Sequence, residues 1–104
     1  MRTERETMFR HVVLLAWTPD ATDEQKAAVL TALGTLPGAI PQIRSYAFGA
    51  DAGVSPGNHD LAIVADFDDA EDYAVYRDHP VHQAVIAERI KPILASRAAV
   101  QFEV

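Results

Sequence analysis

The chain has 104 residues, of which 49% are hydrophobic and 23% charged, with no cysteine and a formal net charge of −6. This length predicts a single domain with one core. Without cysteine, disulfides, zinc–thiolate sites and a cysteine nucleophile are excluded. The acidic balance argues against a nucleic-acid partner and against an anionic membrane surface, because both require a basic face.

The N-terminal residues 1–7, MRTERET, are polar and contain no apolar signal region. We expect them to form a flexible extension in front of a single domain at residues 8–104. No apolar run is long enough to span a bilayer. A cytoplasmic protein is therefore expected, and the lack of cysteine agrees with a reducing compartment.

The first strand is predicted at residues 8–17, MFRHVVLLAW, which is rich in β-branched and aromatic residues. Its alternating positions form two sets, and both sets are apolar. We therefore expect both faces of this strand to be buried. One set is His11, Val13, Leu15 and Trp17, and the other is Val12, Leu14 and Ala16.

A helix is predicted at residues 22–36, where Thr22 and Gln25 form a capping box and Pro37-Gly38 ends the pattern. Strands are predicted at 43–49 and 60–67, separated by a glycine-rich loop without periodicity. Asp68 or Asp69 caps the next helix.

Pro80 interrupts the second helical region, because proline lacks a backbone donor and disfavours helix at the residue before it. Proline is well tolerated at the first position of a helix, so a further helix is predicted from Pro80 to Leu94. The last strand is predicted at residues 98–104, AAVQFEV.

The element order β-α-β-β-α-β predicts an α+β protein with the ferredoxin-like arrangement, an antiparallel sheet with helices on one face. Helices on one face leave the other face uncovered, although the first and third strands are apolar on both. A second copy packing sheet against sheet removes this conflict. A homodimer through the sheet face is therefore predicted.

Tyr76, His79 and His82 lie within seven residues of each other, around Pro80. A histidine can act as a general base near neutral pH, and a tyrosine hydroxyl can donate to a developing oxyanion. Such a pair can deprotonate a carbon next to a carbonyl group. The spacing also fits a purely structural role. In that case His79 caps the helix break, and Tyr76 and His82 form hydrogen bonds with each other in a polar core pocket.

His11 lies in an apolar strand, where a buried polar side chain requires a partner. It can line one cavity with the Tyr76–His82 cluster or serve as a structural core residue. Near the third strand, Asp51, Asn58, His59 and Asp60 match no ordered metal-binding loop, and a polar turn is the simpler interpretation. No metal site is predicted.

The chain resembles the stress-responsive A/B barrel (Dabb) family from about Met8 to its end. The resemblance rests on RHVVLLAW, LPGAIPQIRSYAFGAD, DLAIVADFDDAEDYAVYRDHPVHQAV and AAVQFEV in this order. Its most specific parts are His11 and the segment from Tyr76 to His82. The resemblance implies a ferredoxin-like protomer and a dimeric α+β barrel.

In a plant polyketide cyclase of this family, which closes a linear polyketide by an aldol condensation, the catalytic base and its partner fall on His82 and Tyr76. Its first-strand histidine falls on His11. Two other positions differ, because Leu61 stands in place of a pocket histidine and Leu33 in place of a helix tyrosine. The resemblance thus implies a conserved pair with a different pocket lining. The expected lining comprises His11, Trp17, Leu33, Leu61 and His79.

The leading hypothesis is a homodimer with a small apolar pocket for an apolar or keto ligand. Its chemistry would be proton abstraction next to a carbonyl, of cyclase or isomerase type, with His82 and Tyr76 as catalytic residues and no cofactor. One alternative is a stress-associated binding or assembly protein without catalytic activity. Another, based on the fold alone, is a cofactor-free monooxygenase.

Overall fold

Four strands and a series of helices follow one another in a computed structural model that describes residues 7–104. Of the extension predicted at residues 1–7, all but Thr7 lie outside the described residues. The helices include one π-helical turn and one 3-10 turn. The elements are β1 (Phe9–Trp17), α1 (Asp23–Leu33), α2 (Leu36–Ala39), β2 (Ser45–Ala50), β3 (Leu61–Phe67), α3 (Ala70–Asp78), α4 (Pro80–Val85), the π-helical turn Ile86–Ile90, the 3-10 turn Lys91–Ile93 and β4 (Leu94–Glu103).

The four strands form one antiparallel sheet in the order β2-β3-β1-β4. This is the predicted ferredoxin-like α+β arrangement, which is confirmed. In the register, His11 of β1 lies opposite Ala65 of β3 on one side and Gln101 of β4 on the other. Two strands far apart in sequence thus place their side chains next to His11.

The core lies between the helices and one face of the sheet. This face carries the alternate β1 residues His11, Val13 and Leu15, which are all buried. The helices contribute the side chains that cover them. The largest fully buried side chains are Phe67, Leu33, Leu36, Ile40, Ile93 and Val29.

The other face of the sheet, here called the outer face, is also apolar, but none of the helices within residues 7–104 covers it. Val12, Val64 and Val100 lie side by side across it, on β1, β3 and β4. Three of its large apolar side chains are exposed, namely Leu14 at 37%, Val100 at 57% and Phe102 at 46%. At one end, Asp66 accepts hydrogen bonds from Arg10 at 2.8 and 2.9 Å and from Ser45 at 3.1 Å.

The largest errors in the predicted boundaries concern the two long helical regions. The helix expected to reach Leu36 ends at Leu33, because Gly34 caps it with its N–H directed to the carbonyls of Leu30 and Ala32. The helix expected to continue to Leu94 changes after Val85 into the π-helical turn Ile86–Ile90 and then into the 3-10 turn Lys91–Ile93, which contains Pro92. As a result, β4 begins at Leu94 instead of Ala98. Within residues 7–104, no helix combines the length and apolar character that a membrane span requires.

Candidate functional site

A cavity of about 310 Å³ lies between the helix-covered face of the sheet and helices α3 and α4. His11, Tyr76 and His82 line it together, so the structure brings β1 and the helix break to one place. Most of the remaining wall is aliphatic, including Val13, Leu15, Leu33, Ile63, Val85 and Ile90. Its volume lies at the lower end of the range for small-molecule pockets.

The helix break at Pro80 determines the hydrogen bonding around the cavity. His79 lies between α3 and α4 in an extended conformation, and its Nδ1 accepts a hydrogen bond from the Val81 N–H at 3.1 Å. In an unbroken helix that N–H would donate to the carbonyl of Arg77, four residues earlier. The Arg77 carbonyl is thereby left available to side chains.

His82 uses that carbonyl. Its Nδ1 lies 3.0 Å from the Arg77 oxygen, which also accepts from the Gln83 Nε2 at 2.6 Å. Because a carbonyl oxygen only accepts, the His82 Nδ1 carries the proton and Nε2 is left as the acceptor. Burial is the main cause that lowers the pKa of His82 below its ordinary value of 6.5. The imidazole is therefore neutral at pH 7, in the tautomer that a general base requires.

Tyr76 packs against this imidazole. Its ring centroid is 4.1 Å from that of His82, with an angle of 34° between the planes. The Tyr76 hydroxyl lies 3.0 Å from the hydroxyl of Tyr46 on β2. Only 2% of Tyr76 is exposed, and burial raises the pKa of its hydroxyl well above the ordinary value. The side chain is thus a neutral hydrogen-bonding group at pH 7, held from two sides.

His11 completes the polar part of the cavity. It is 4% exposed, and its Nδ1 accepts a hydrogen bond from the Gln101 Nε2 at 2.9 Å, so the other ring nitrogen carries the proton. The ring of Tyr73 lies 4.7 Å from its own. Burial, followed by the positive charge of Arg97, lowers the pKa of His11 to about 4. His11 therefore stays neutral across the physiological range.

The other residues predicted for the pocket are divided among three places. Leu33 lines the 310 Å³ cavity. Trp17 and Leu61 line a separate cavity of about 230 Å³, where the backbone N–H of Trp17 donates to the Asp60 carboxylate at 2.7 Å. His79 is not among the lining residues of the 310 Å³ cavity and serves as the cap of α4.

Sequence reasoning missed several partners of the predicted residues. Tyr73 stands three residues before Tyr76, which places both on one helix face, and this spacing was a usable signal. Gln101 and Arg97 share the alternation of β4, but only the pairing of β4 with β1 brings them to His11. The contact between Tyr46 and Tyr76 likewise depends on tertiary structure.

The polar loop between β2 and β3 forms a different site. Asp51, Asn58 and His59 line an open cavity of about 510 Å³ there, and Asn58 donates to the Asp51 carboxylate at 3.0 Å. In the part of the chain that the structure describes, no three His, Cys, Asp or Glu residues are grouped in a way that could hold a metal ion. The loop brings none of the predicted catalytic residues together.

Comparison with known proteins agrees with this architecture. The model of the Stress Responsive A/B Barrel Domain (Dabb) matches residues 9–104. A search of the curated proteins returned no match. Among solved structures, a dimeric ferredoxin-like protein of unknown function from Thermobifida fusca is 47% identical, with 94% of this chain and 92% of that chain covered and a TM-score of 0.87.

Two further structures show how far the fold extends. A dimeric protein of unknown function from Bacteroides fragilis is 30% identical, covering 93% of this chain and 96% of that chain, with a TM-score of 0.79. A hydroxynitrile lyase from Passiflora edulis is 16% identical over 93% of both chains, with a TM-score of 0.80, and shares the fold alone. From the family model and the first two structures, the chain belongs to the stress-responsive A/B barrel (Dabb) domain family.

Proposed function

We propose that this protein is a homodimeric, cofactor-free enzyme in which His82 removes a proton from a carbon next to a carbonyl group. The observation that carries the proposal is the hydrogen bond between the His82 Nδ1 and the Arg77 carbonyl at 3.0 Å. It leaves Nε2 as the acceptor of an imidazole on the wall of a 310 Å³ cavity. A base, a preset tautomer and a largely apolar cavity are the parts that this reaction requires.

The outer face of the sheet supports the proposed dimer. Its exposed apolar side chains include Leu14, Val100 and Phe102, which lie on the adjacent strands β1 and β4. A contiguous apolar surface of this kind marks an interaction site. The similar proteins from Thermobifida fusca and Bacteroides fragilis are both described as dimeric. A second copy packing on this face would cover it.

The reaction needs no group beyond the side chains present. The C–H bond breaks, its proton passes to the His82 Nε2, and its electron pair moves toward the carbonyl oxygen, giving an enolate. When the Tyr46 hydroxyl donates this hydrogen bond to the Tyr76 oxygen, the Tyr76 O–H is free to donate a hydrogen bond to the enolate oxygen. His82 then returns this proton in one of two ways. In an isomerisation, the proton goes to the far carbon of a conjugated enolate. In an aldol closure, the enolate carbon forms a bond to a second carbonyl carbon, the π bond of that carbonyl breaks, and its oxygen takes the proton from the His82 Nε2.

Tyr76 has a second contribution through its ring. The 4.1 Å contact between the two rings restricts rotation of the His82 imidazole about its side-chain bonds. The Arg77 carbonyl fixes the same ring from its edge. His82 is thus held in one orientation before a ligand enters, and such pre-organisation lowers the cost of reaching the transition state.

Exchange of the proton next to a carbonyl in a 3-oxo ester, followed by NMR in D₂O, tests the proposal. We expect the protein to accelerate exchange over buffer and His82→Ala to lower the rate at least about a hundredfold. Tyr76→Phe keeps the ring contact and loses the hydroxyl, so we expect a smaller loss. His59→Ala is the matched control, because that histidine lines a different cavity.

Equal exchange rates for the wild type and His82→Ala, in proteins with unchanged NMR spectra outside the site, would remove His82 from the mechanism. Binding of the ester without accelerated exchange would favour the non-catalytic alternative, a ligand-binding protein.

A further inference from the structure

The charges around the 310 Å³ cavity differ from those of the chain as a whole. The chain has 15 acidic and 9 basic residues. The cavity is nevertheless lined by three cations, Arg77, Lys91 and Arg97, and by no Asp or Glu of residues 7–104. A cavity wall with cations only, in an acidic protein, gives the site a positive potential of its own.

Two of these cations have no partner among the residues that the structure describes. Arg77 forms an ion pair with Asp78 at 2.9 Å, which neutralises it locally. Lys91 and Arg97 make neither a hydrogen bond nor an ion pair with any side chain in the described range. Both are exposed at the cavity, where they can be reached from solvent.

Arg97 acts on the interior of the cavity as well as on its edge. In the register it lies opposite Leu15, on the same face of β4 as Gln101, which contacts His11. After burial, its charge is the next cause that lowers the pKa of His11, and it also contributes to the lowered pKa of His82. The guanidinium is therefore electrostatically coupled to both imidazoles.

We propose that the cavity takes a small carboxylic acid, with the carboxylate held by Arg97 and Lys91 and the aliphatic part against Val13, Leu33 and Ile63. The planar guanidinium of Arg97 suits a carboxylate, which it can bind through two parallel hydrogen bonds. This deepens the proposed function, since it rests on the same cavity and names keto acids as the substrate class.

The cavity also limits the size of the acid. At the ~30 Å³ that one water molecule occupies in the liquid, its volume corresponds to a ligand of roughly ten non-hydrogen atoms. A keto acid with a medium-length aliphatic chain has this size. Its carbonyl, close to the carboxylate, would lie nearer to the cations than its tail does.

Hexanoate and hexanamide form a matched pair of probes, because they have the same shape and differ in charge. We expect hexanoate to bind the wild-type protein at least about tenfold more tightly in NMR titrations, through charge-assisted hydrogen bonds. Arg97→Gln and Lys91→Gln should each reduce this preference roughly three- to tenfold. Arg89→Gln is the control, since Arg89 lines another cavity beside Glu24 and Glu88.

Equal affinity for the two probes, or an unchanged preference in both Arg97→Gln and Lys91→Gln, would overturn the inference. If a variant does not fold, the salt dependence of the wild type decides, because the preference for hexanoate should fall as NaCl rises. His82→Ala separates the two proposals: it should retain the preference for hexanoate and lose proton exchange. If the protein does not accelerate proton exchange, a measured preference for hexanoate still supports the carboxylate site. If that preference is absent, accelerated exchange still supports His82 as the base.

Discussion

The two faces of the sheet have similar apolar residues and opposite surroundings. On the helix-covered face, Val13 and Leu15 of β1 are buried by the protomer itself. On the outer face, their neighbour Leu14 is 37% exposed and Val100, across from Val12, is 57% exposed. Strand alternation alone separates these residues. Apolar composition therefore predicts that both faces are buried, but it does not show whether helices of the same protomer or a second protein chain bury each face.

Polar residues distinguish the faces more clearly. On the outer face, Arg10 and Asp66 satisfy each other, and the hydrogen bond from Arg10 is the main cause that lowers the pKa of Asp66. In the cavity between the helix-covered face and the helices, His11, His82 and Tyr76 are kept neutral, mainly by burial. A paired ion couple of this kind is a structural contact between two strands. Neutral titratable groups around a cavity are suited to proton transfer and binding.

A charge placed on the outer face gives the largest expected effect. In the proposed dimer, Val100→Glu would bury an unpaired carboxylate between two sheets, so we expect the dimer dissociation constant to rise roughly a hundredfold or more. Analytical ultracentrifugation measures this change. Val54→Glu introduces the same charge at an 86% exposed loop position and should leave the dimer unchanged. A dimer that persists in Val100→Glu would place the interface elsewhere.

The features that were predictable from the sequence are those with local causes. Pro80 breaks the helix through its own covalent structure, and this break, together with the spacing of Tyr76 and His82, indicated the site. The alternation in β1 put His11 on the same face as Val13 and Leu15. Each of these inferences needs only neighbouring residues.

The features that were not predictable depend on the pairing of strands that are far apart in sequence. Gln101 reaches His11 across 90 positions of sequence, and only the register of β1 with β4 joins them. In the sequence, Arg97 is one of several scattered cations, and only the pairing of β4 with β1 places it opposite Leu15. The predicted start of β4 at Ala98 would have left Arg97 outside the strand, whereas the strand begins at Leu94.

The helix break provides the next prediction, because His79 acts on the site through the backbone. Its Nδ1 holds the Val81 N–H and so leaves the Arg77 carbonyl to His82. In His79→Ala, that N–H competes for a carbonyl partner, and we expect proton exchange to slow about tenfold. The change should appear in the ¹⁵N NMR shifts of His82 as a mixture of tautomers.

His79→Asn is the matched variant, since asparagine also caps a helix N-terminus through its side chain. It should restore most of the exchange rate and the single His82 tautomer. A purely structural role would instead lower the stability of His79→Ala, by about 1 kcal/mol, with the tautomer unchanged.

A smaller effect is expected from the titration of His11. Its pKa is about 4 in the folded protein against an ordinary value of 6.5, so the unfolded chain binds more protons between these pH values. Stability should therefore fall as the pH falls through this range. In His11→Gln, urea unfolding at pH 7 and pH 5 should show a decrease smaller than that of the wild type by about 1 kcal/mol, allowing for solvent screening. An identical decrease in both proteins would mean that folding does not lower the pKa of His11.

The smallest expected change is in the pH dependence of exchange, and it connects the base to the cations of the cavity. Because the pKa of His82 is lowered, the rate should rise with pH and reach its plateau with a midpoint below 6.5. The charge of Arg97 is one of the causes of that lowering, after burial. In Arg97→Gln, the midpoint should therefore move to higher pH, while in Arg89→Gln it should stay in place. A midpoint that moves equally in both variants would indicate an effect of overall charge. A shift confined to Arg97→Gln would mean that one guanidinium both selects an anionic ligand and lowers the pKa of the base.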